Sequence, residues 1–302
     1  MTTNPAFAFV LGTGRCGSTL VHELLARHPD VGFFSNANDL LARTPAAVVT
    51  RRNGALYRRL PPGATTKGRA RFAPTEGWRL LDRRASPILV DPNRDLVADD
   101  AMPWIRDLVI NLFHAGAGDA PEPLFLHKVT GWPRVGLLDA CLPESRYVHV
   151  VRDGRNVAAS WLRMPWWRGH LGPERWHAGP LTAEQRAAWD ASGRSFTVLA
   201  GLAWCQFLDA HDAAEQALAD DDRWLTVRYE DVVADPLPSM QRIAKHFGLA
   251  PNAAFDAAVA AWPVCAERPT AWLPVLGEVE TAKLEAAIAP HLAHWGYEPK
   301  SR

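Results

Sequence analysis

Near the start of the chain, Gly12-Thr13-Gly14-Arg15-Cys16-Gly17-Ser18-Thr19 follows the apolar run Phe7-Ala8-Phe9-Val10-Leu11. A glycine-rich turn between a strand and a helix points backbone N–H groups and the positive end of the helix dipole at one spot, which makes a seat for an anion. The glycine spacing and the closing Ser-Thr follow the nucleoside-triphosphate loop pattern G-x-x-x-x-G-K-[ST], with one departure. Ser18 stands where that pattern has lysine, and the basic residue, Arg15, lies inside the loop. The segment reads as a cradle for a phosphate-like group, without the side chain that serves a γ-phosphate and its magnesium. Cys16 has two readings: a small residue that fits the turn, or a thiol acidified at a helix N-terminus.

Two further cations follow apolar runs. Leu124-Phe125-Leu126-His127 delivers Lys128, and Tyr147-Val148-His149-Val150-Val151 delivers Arg152. In open parallel sheets, ligands bind beyond the carboxyl ends of the strands. Arg15, Lys128 and Arg152 at one sheet edge would repel unless an anion joins them. After Arg152, Asn156 and Ser160 stand at i, i+4 and share a helix face. An arginine plus a hydroxyl suits a second, separate phosphate, so the expected ligand carries phosphates at both ends rather than one triphosphate tail.

The elements that must position these groups follow from patterning. Four apolar runs, Phe7–Leu11, Leu124–His127, Tyr147–Val151 and Leu225–Tyr229, read as buried parallel strands. Helices are expected from Ser18 to about Arg27, Trp104 to Phe113, Val135 to Cys141, after Arg152 to about Leu162, Ser195 to Leu218, and from Asp235-Pro236 to Gly248. A last helix carries Leu284, Ile288 and Leu292, with a kink expected at Pro290 and a stop at Gly296. Residues 30–100 are rich in Pro, Gly and Arg and read as irregular structure with a few short helices. Alternating strands and helices imply an α/β fold with a central parallel sheet flanked by helices. The expected organisation is a single domain over 1–302, with an irregular and helical insert or lid over about 30–120.

Composition bounds the function. In 302 residues, Lys plus Arg equals Asp plus Glu at 33 each, which argues against a broad nucleic-acid surface. The one charge asymmetry is the basic tract Arg51–Arg84, read either as a solvated face or as a mobile lid over an anionic ligand. Cys16, Cys141, Cys205 and Cys265 form no C-x-x-C pair, so neither a metal framework nor a disulfide scaffold is expected. No apolar stretch approaches the ~18 residues of a membrane span and the N-terminus lacks a basic leader, so a cytoplasmic enzyme is expected. Thirteen tryptophans is a high count; Trp161, Trp166, Trp167 and Trp176 read either as core or as the wall of an acceptor pocket.

On these residues the chain resembles the sulfotransferases that use 3′-phosphoadenosine 5′-phosphosulfate (PAPS). Phe9–Leu20 resembles their 5′-phosphosulfate loop, and Tyr147–Ser160 their 3′-phosphate motif. Val227-Arg228-Tyr229-Glu230-Asp231 leading into Asp235-Pro236, and the segment ending His294-Trp295-Gly296-Tyr297, also look typical of the family. Arginine in the loop makes it more similar to the tyrosylprotein, carbohydrate and bacterial branch than to the steroid and phenol branch. The resemblance implies a P-loop-like fold, with residues 14–19 around the 5′-phosphosulfate, Arg152 and Ser160 on the 3′-phosphate, and Tyr229 near the nucleotide. It implies that Lys128 and Arg15 stabilise charge at the transferring group, with no metal required.

The implied reaction moves a sulfuryl group to a hydroxyl of a small or medium-sized acceptor, such as a natural product, lipid or sugar. Its general base is open. Tyrosylprotein relatives place a glutamate about seven residues after a His-Pro pair, but the position matching it after His28-Pro29 is Asn36. The candidates are Asp39, otherwise a helix-capping residue, and His127, otherwise a strand residue packed in the core. The rival readings are a small-molecule kinase and a nucleotide-binding module without activity. No nucleic-acid partner is expected, and the oligomeric state is open.

Overall fold

An unbroken apolar run has no polar face to give to water, so as a strand it must be covered on both sides. A computed structural model, describing residues 6–43, 53–61, 70–90, 92–117, 122–176, 178–218, 222–264 and 271–297, places all four such runs in one sheet. The strands are β1 (Ala6–Gly12), β2 (Val31–Phe33), β3 (Leu124–Thr130), β4 (Arg146–Val151) and β5 (Trp224–Arg228), in the order β2-β3-β1-β4-β5. Every pairing is parallel, and β1 sits at the centre with Val10 opposite Lys128 on one side and Val148 on the other. The expected α/β fold with a central parallel sheet flanked by helices is what forms.

Alternation within β1 splits the core in two. Phe7, Phe9 and Leu11 face a cluster with Phe113, Phe125, Leu138 and Tyr147. Ala8 and Val10 face the other way, onto Val21, Leu24, Met240 and Ile243. A third cluster, with Trp161, Trp204, Phe207, Leu284, Ile288 and Leu292, joins the helices Gly154–Trp161, Phe196–Ala217 and Leu273–His294. Each fully buried Leu or Phe adds about 1.5–3 kcal/mol.

Several features differ from the sequence expectation, among them the helices Ala183–Ala191 and Ala253–Ala260, which no strong local period marked. β2 was not expected; its three residues are too few to carry a pattern, and pairing with β3 fixes them. β3 runs on to Thr130, so Lys128 lies within the strand rather than past its end. In the last helix the backbone leaves helical angles at Gly277 (φ 74°, ψ 166°) and not at Pro290. The region 30–100 does hold short helices, Asn36–Leu40, Asn53–Arg59 and Trp78–Arg84. Of the basic tract, Arg51, Arg52, Lys67 and Arg69 lie outside the described residues. Two others serve the fold. Arg58 pairs with Glu122 at 2.8 Å and donates to the His28 and Val31 carbonyls, and Arg84 donates to the Ala42 carbonyl.

Candidate active site

The loop after β1 has positive φ at Gly14 (82°), Arg15 (57°) and Gly17 (97°). Such turns make successive N–H groups converge. Gly17 is the N-cap of the helix Ser18–Leu25 and offers no side-chain cap, so that helix's first N–H groups face the same concavity. Gly17 must be glycine for a second reason: a Cβ there would overlap the Tyr229 ring. Cys16 points the other way, is fully buried, and packs beside Gly12, which fits the small-residue reading of its thiol.

The loop is wired directly to the end of β4. Arg15 Nε donates to Ser160 Oγ at 2.9 Å. Arg152 Nη1 donates to the Arg15 carbonyl at 2.8 Å, and its guanidinium lies 4.5 Å from the centre of the Tyr229 ring. Arg15, Arg152, Ser160 and Tyr229, drawn from three parts of the chain, therefore meet in one place.

Behind them is a frame. Asp153 caps the helix Gly154–Trp161 by accepting from the Arg155 N–H, and it holds the Arg155 guanidinium at 2.7 Å. Arg155 also pairs with Glu285 at 2.6 Å and lies 4.3 Å from the Trp272 ring centre. Glu230 accepts from the Asp153 N–H at 3.1 Å and from the Tyr297 hydroxyl at 2.8 Å. Burial, with Glu230 next in effect, pushes the Tyr297 hydroxyl far above its ordinary range. These groups bond to one another and hold the end of β4 beside Arg152 and the helix that carries Ser160.

Lys128 and His127 leave β3 on opposite faces. Lys128 turns toward the helix Ser18–Leu25 and its Nζ donates to Thr19 Oγ1 at 2.7 Å. The same nitrogen pairs with Glu76 Oε1 at 2.7 Å. His127 is 1% exposed, with its ring 5.3 Å from Phe113 and 5.8 Å from Phe34. Burial, followed by Lys128 and Arg134, lowers its pKa to about 3, so it is neutral at ordinary pH.

Glu76 and His127 line one cavity, with Trp78, Leu81, Phe113 and Lys128 among its other walls. Asp39 is not among the lining residues. Its Oδ1 accepts from the N–H groups of Arg79 and Leu80 at 2.8 and 3.0 Å, capping the helix Trp78–Arg84, whose own N-cap is Gly77. The capping role foreseen for Asp39 is thus played on a helix distant in sequence. Asn36 donates its side-chain N–H to the Ala70 carbonyl at 2.9 Å.

Glu76 is the carboxylate that sequence reasoning passed over. The available signal was composition: Glu76 and Asp82 are the only acidic residues in the basic tract Arg51–Arg84. Of the four tryptophans read as a pocket wall or core, Trp161, Trp167 and Trp176 pack in the third cluster, while Trp166 is exposed. Among the described residues, no group of three or more His, Cys, Asp or Glu side chains is placed to hold a metal ion, and no helix is long and apolar enough to cross a membrane.

Comparison with known proteins bears on this arrangement. A family model described as the sulfotransferase family matches residues 6–252. Among solved structures, the chain is similar to the sulfotransferase STF9 from Mycobacterium avium, with a TM-score of 0.61 at 18% identity, over 100% of this chain and 79% of that one. It is also similar to the sulfotransferase STF1 from Mycobacterium tuberculosis H37Rv, with a TM-score of 0.52 at 21% identity, over 95% and 77% of the two chains. At these identities the structural likeness concerns the fold. No curated protein sequence matches the chain.

Proposed function

The chain belongs to the sulfotransferase family, and from that premise we propose that it transfers the sulfuryl group of PAPS to a hydroxyl of a small acceptor. The observation that carries this reading is the bonded series Ser160–Arg15–Arg152, in which an anion loop and a second cation-and-hydroxyl seat share members. A ligand with a 5′-phosphosulfate and a 3′-phosphate would meet both. The loop N–H groups and Arg15 would bind the first, and Arg152 and Ser160 the second, with Tyr229 beside them.

The acceptor oxygen bonds to sulfur while the bond from sulfur to the bridging phosphate oxygen breaks. The electron pair leaves with that oxygen on 3′-phosphoadenosine 5′-phosphate (PAP). Lys128 and the loop N–H groups offset the charge growing there, already aimed and so without reorganisation. The acceptor's proton passes to a base. Glu76 fits that role better than Asp39, whose oxygen serves two backbone N–H groups, or His127, whose pKa of about 3 makes it a poor proton acceptor.

Lys128 weighs against the kinase reading. In phosphate loops that use magnesium, the hydroxyl at the Thr19 position binds the metal. Here that hydroxyl accepts from an ammonium group instead.

The test is a thermal-shift titration with PAP, PAPS and Mg-ATP on the unmodified chain, Arg15→Ala and Arg152→Ala. PAP should stabilise the protein, and both substitutions should weaken that effect. Stabilisation by Mg-ATP with none by PAP would move the kinase reading to first place.

A further inference from the structure

The segment that follows the helix Gly154–Trp161 turns on a single indole. Trp167 is buried, and Gly169 lies flat against its ring: a Cβ on Gly169 would fall 2.1 Å from Trp167 Cζ2. The His170 ring is centred 6.4 Å from that of Trp167. The Phe196 ring, from the first turn of the helix Phe196–Ala217, is centred 6.0 Å from it. Trp167 thus joins two stretches of chain, residues 164–172 and the start of that helix.

These two stretches show apolar side chains to solvent. Trp166, Leu171 and Phe196 are 47%, 46% and 51% exposed. Large apolar residues scattered singly on a surface are ordinary, but these three belong to one locally packed unit.

Their charged neighbours are cations. Arg163, Arg168 and Arg175 are exposed, and none of them pairs with a carboxylate among the described residues. Between residues 162 and 181 the only acid is Glu174, and Arg186 holds it. On the helices alongside, Asp190 pairs with Arg194 at 2.8 Å, and Glu280 pairs with Lys283 at 2.8 Å while accepting from the Ser195 hydroxyl. In a chain of zero formal charge, this face sets unbalanced positive charge beside apolar tips.

Half of three large side chains is roughly 300 Å² of apolar surface, against about 800 Å² that a standard protein interface takes from each partner. A bilayer asks for no matching contour. It takes apolar tips at headgroup level, where tryptophan is enriched, and anionic lipids draw cations to the same plane. We propose that this face rests on an anionic lipid surface, with Trp166, Leu171 and Phe196 entering the headgroup layer and Arg163, Arg168 and Arg175 meeting lipid phosphates.

The test sediments the full chain with phosphatidylcholine vesicles, with and without phosphatidylglycerol, at low and high salt. Each cation near an anionic surface adds about 5-fold, so the anionic vesicles should bind about 10- to 100-fold tighter at low salt and lose that advantage as salt is added. Arg168→Gln with Arg175→Gln should cost about 10- to 30-fold at low salt. Trp166→Ser with Phe196→Ser should cost roughly 10-fold at either salt concentration, and Trp166→Leu with Phe196→Leu, which keeps apolar tips, should restore most of that. Thermal unfolding checks that each variant is folded, and the glutamine pair decides alone if the serine pair is not. No binding to anionic vesicles, equal binding to both kinds, or binding that the folded variants leave unchanged overturns the proposal. So does binding of polyglutamate without binding of vesicles, which would assign the face to an acidic protein.

Discussion

Two regions of the candidate site, the one around Arg15 and Arg152 and the one around Glu76 and His127, are built in opposite ways. In the first, the polar groups are strung along short stretches and tie to one another: residues 12–19 to 152–160, and these to Glu230 and Tyr297. In the second, Glu76, His127 and Arg134 come from three stretches and line a small, mainly apolar cavity. A pair of phosphates is a fixed, highly charged target, and rigid cross-bracing suits it.

If that contrast holds, substitutions in the two regions should separate in kinetics. The largest effect is expected for Lys128→Met, which stands where the regions meet. Its kcat should fall roughly 10²- to 10³-fold in a steady-state PAPS assay. Glu76→Gln should lower kcat by about 10²-fold with PAP affinity unchanged, measured by calorimetry. A matching loss of PAP affinity would place Glu76 in the first region and blur the contrast.

Arg152→Ala should weaken PAP by roughly 10- to 100-fold, since it removes charge-assisted hydrogen bonds. Because Arg152 also holds the Arg15 carbonyl, adenosine 5′-monophosphate should weaken as well. A loss confined to the 3′-phosphorylated ligand would show that the two seats act separately.

The smallest effect concerns stability beside the cavity. Asp95 accepts from the Arg134 N–H at 2.7 Å, and burial raises its pKa to about 6. A carboxyl with a folded pKa above its unfolded value binds protons more readily when folded. Its contribution to stability is therefore greatest below about pH 4 and falls as pH rises toward and past 6, by up to about 3 kcal/mol. Asp95→Asn should raise the Tm at pH 7.5 and do little at pH 4. An equal shift at both pH values would mean the carboxylate is not the cause.

The same contrast explains how much could be read in the sequence. Phe7–Leu11 and Tyr147–Val151 are unbroken apolar runs followed by loops carrying glycine, arginine and serine, so the strands were legible, and Arg15, Arg152 and Ser160 do meet. The run Leu124–His127 was legible too, but Val129 and Thr130 also pair with β1, so Lys128 fell inside the strand. Glu76 was not legible, because its partner lies far along the chain and no local period marks a lone carboxylate. The capping chemistry of Asp39 was legible but its helix was not, since the N–H groups it serves belong to Arg79 and Leu80. The break in the last helix was assigned to proline on propensity. The chain instead leaves helical angles at a glycine, the residue that tolerates φ of 74°.

The bond from Tyr297 to Glu230, and from Glu230 to the Asp153 N–H, has a consequence for how the protein is made. Synthesis releases β1 and its loop before its partners, and β1 has no strand beside it until residues 124–130 and 146–149 have emerged. The seat those strands form stays unbraced until residue 297 arrives. The bracing is then completed in a late step that links residues 12–19 to residue 297, and a pause between them would leave the central strand waiting with both edges open.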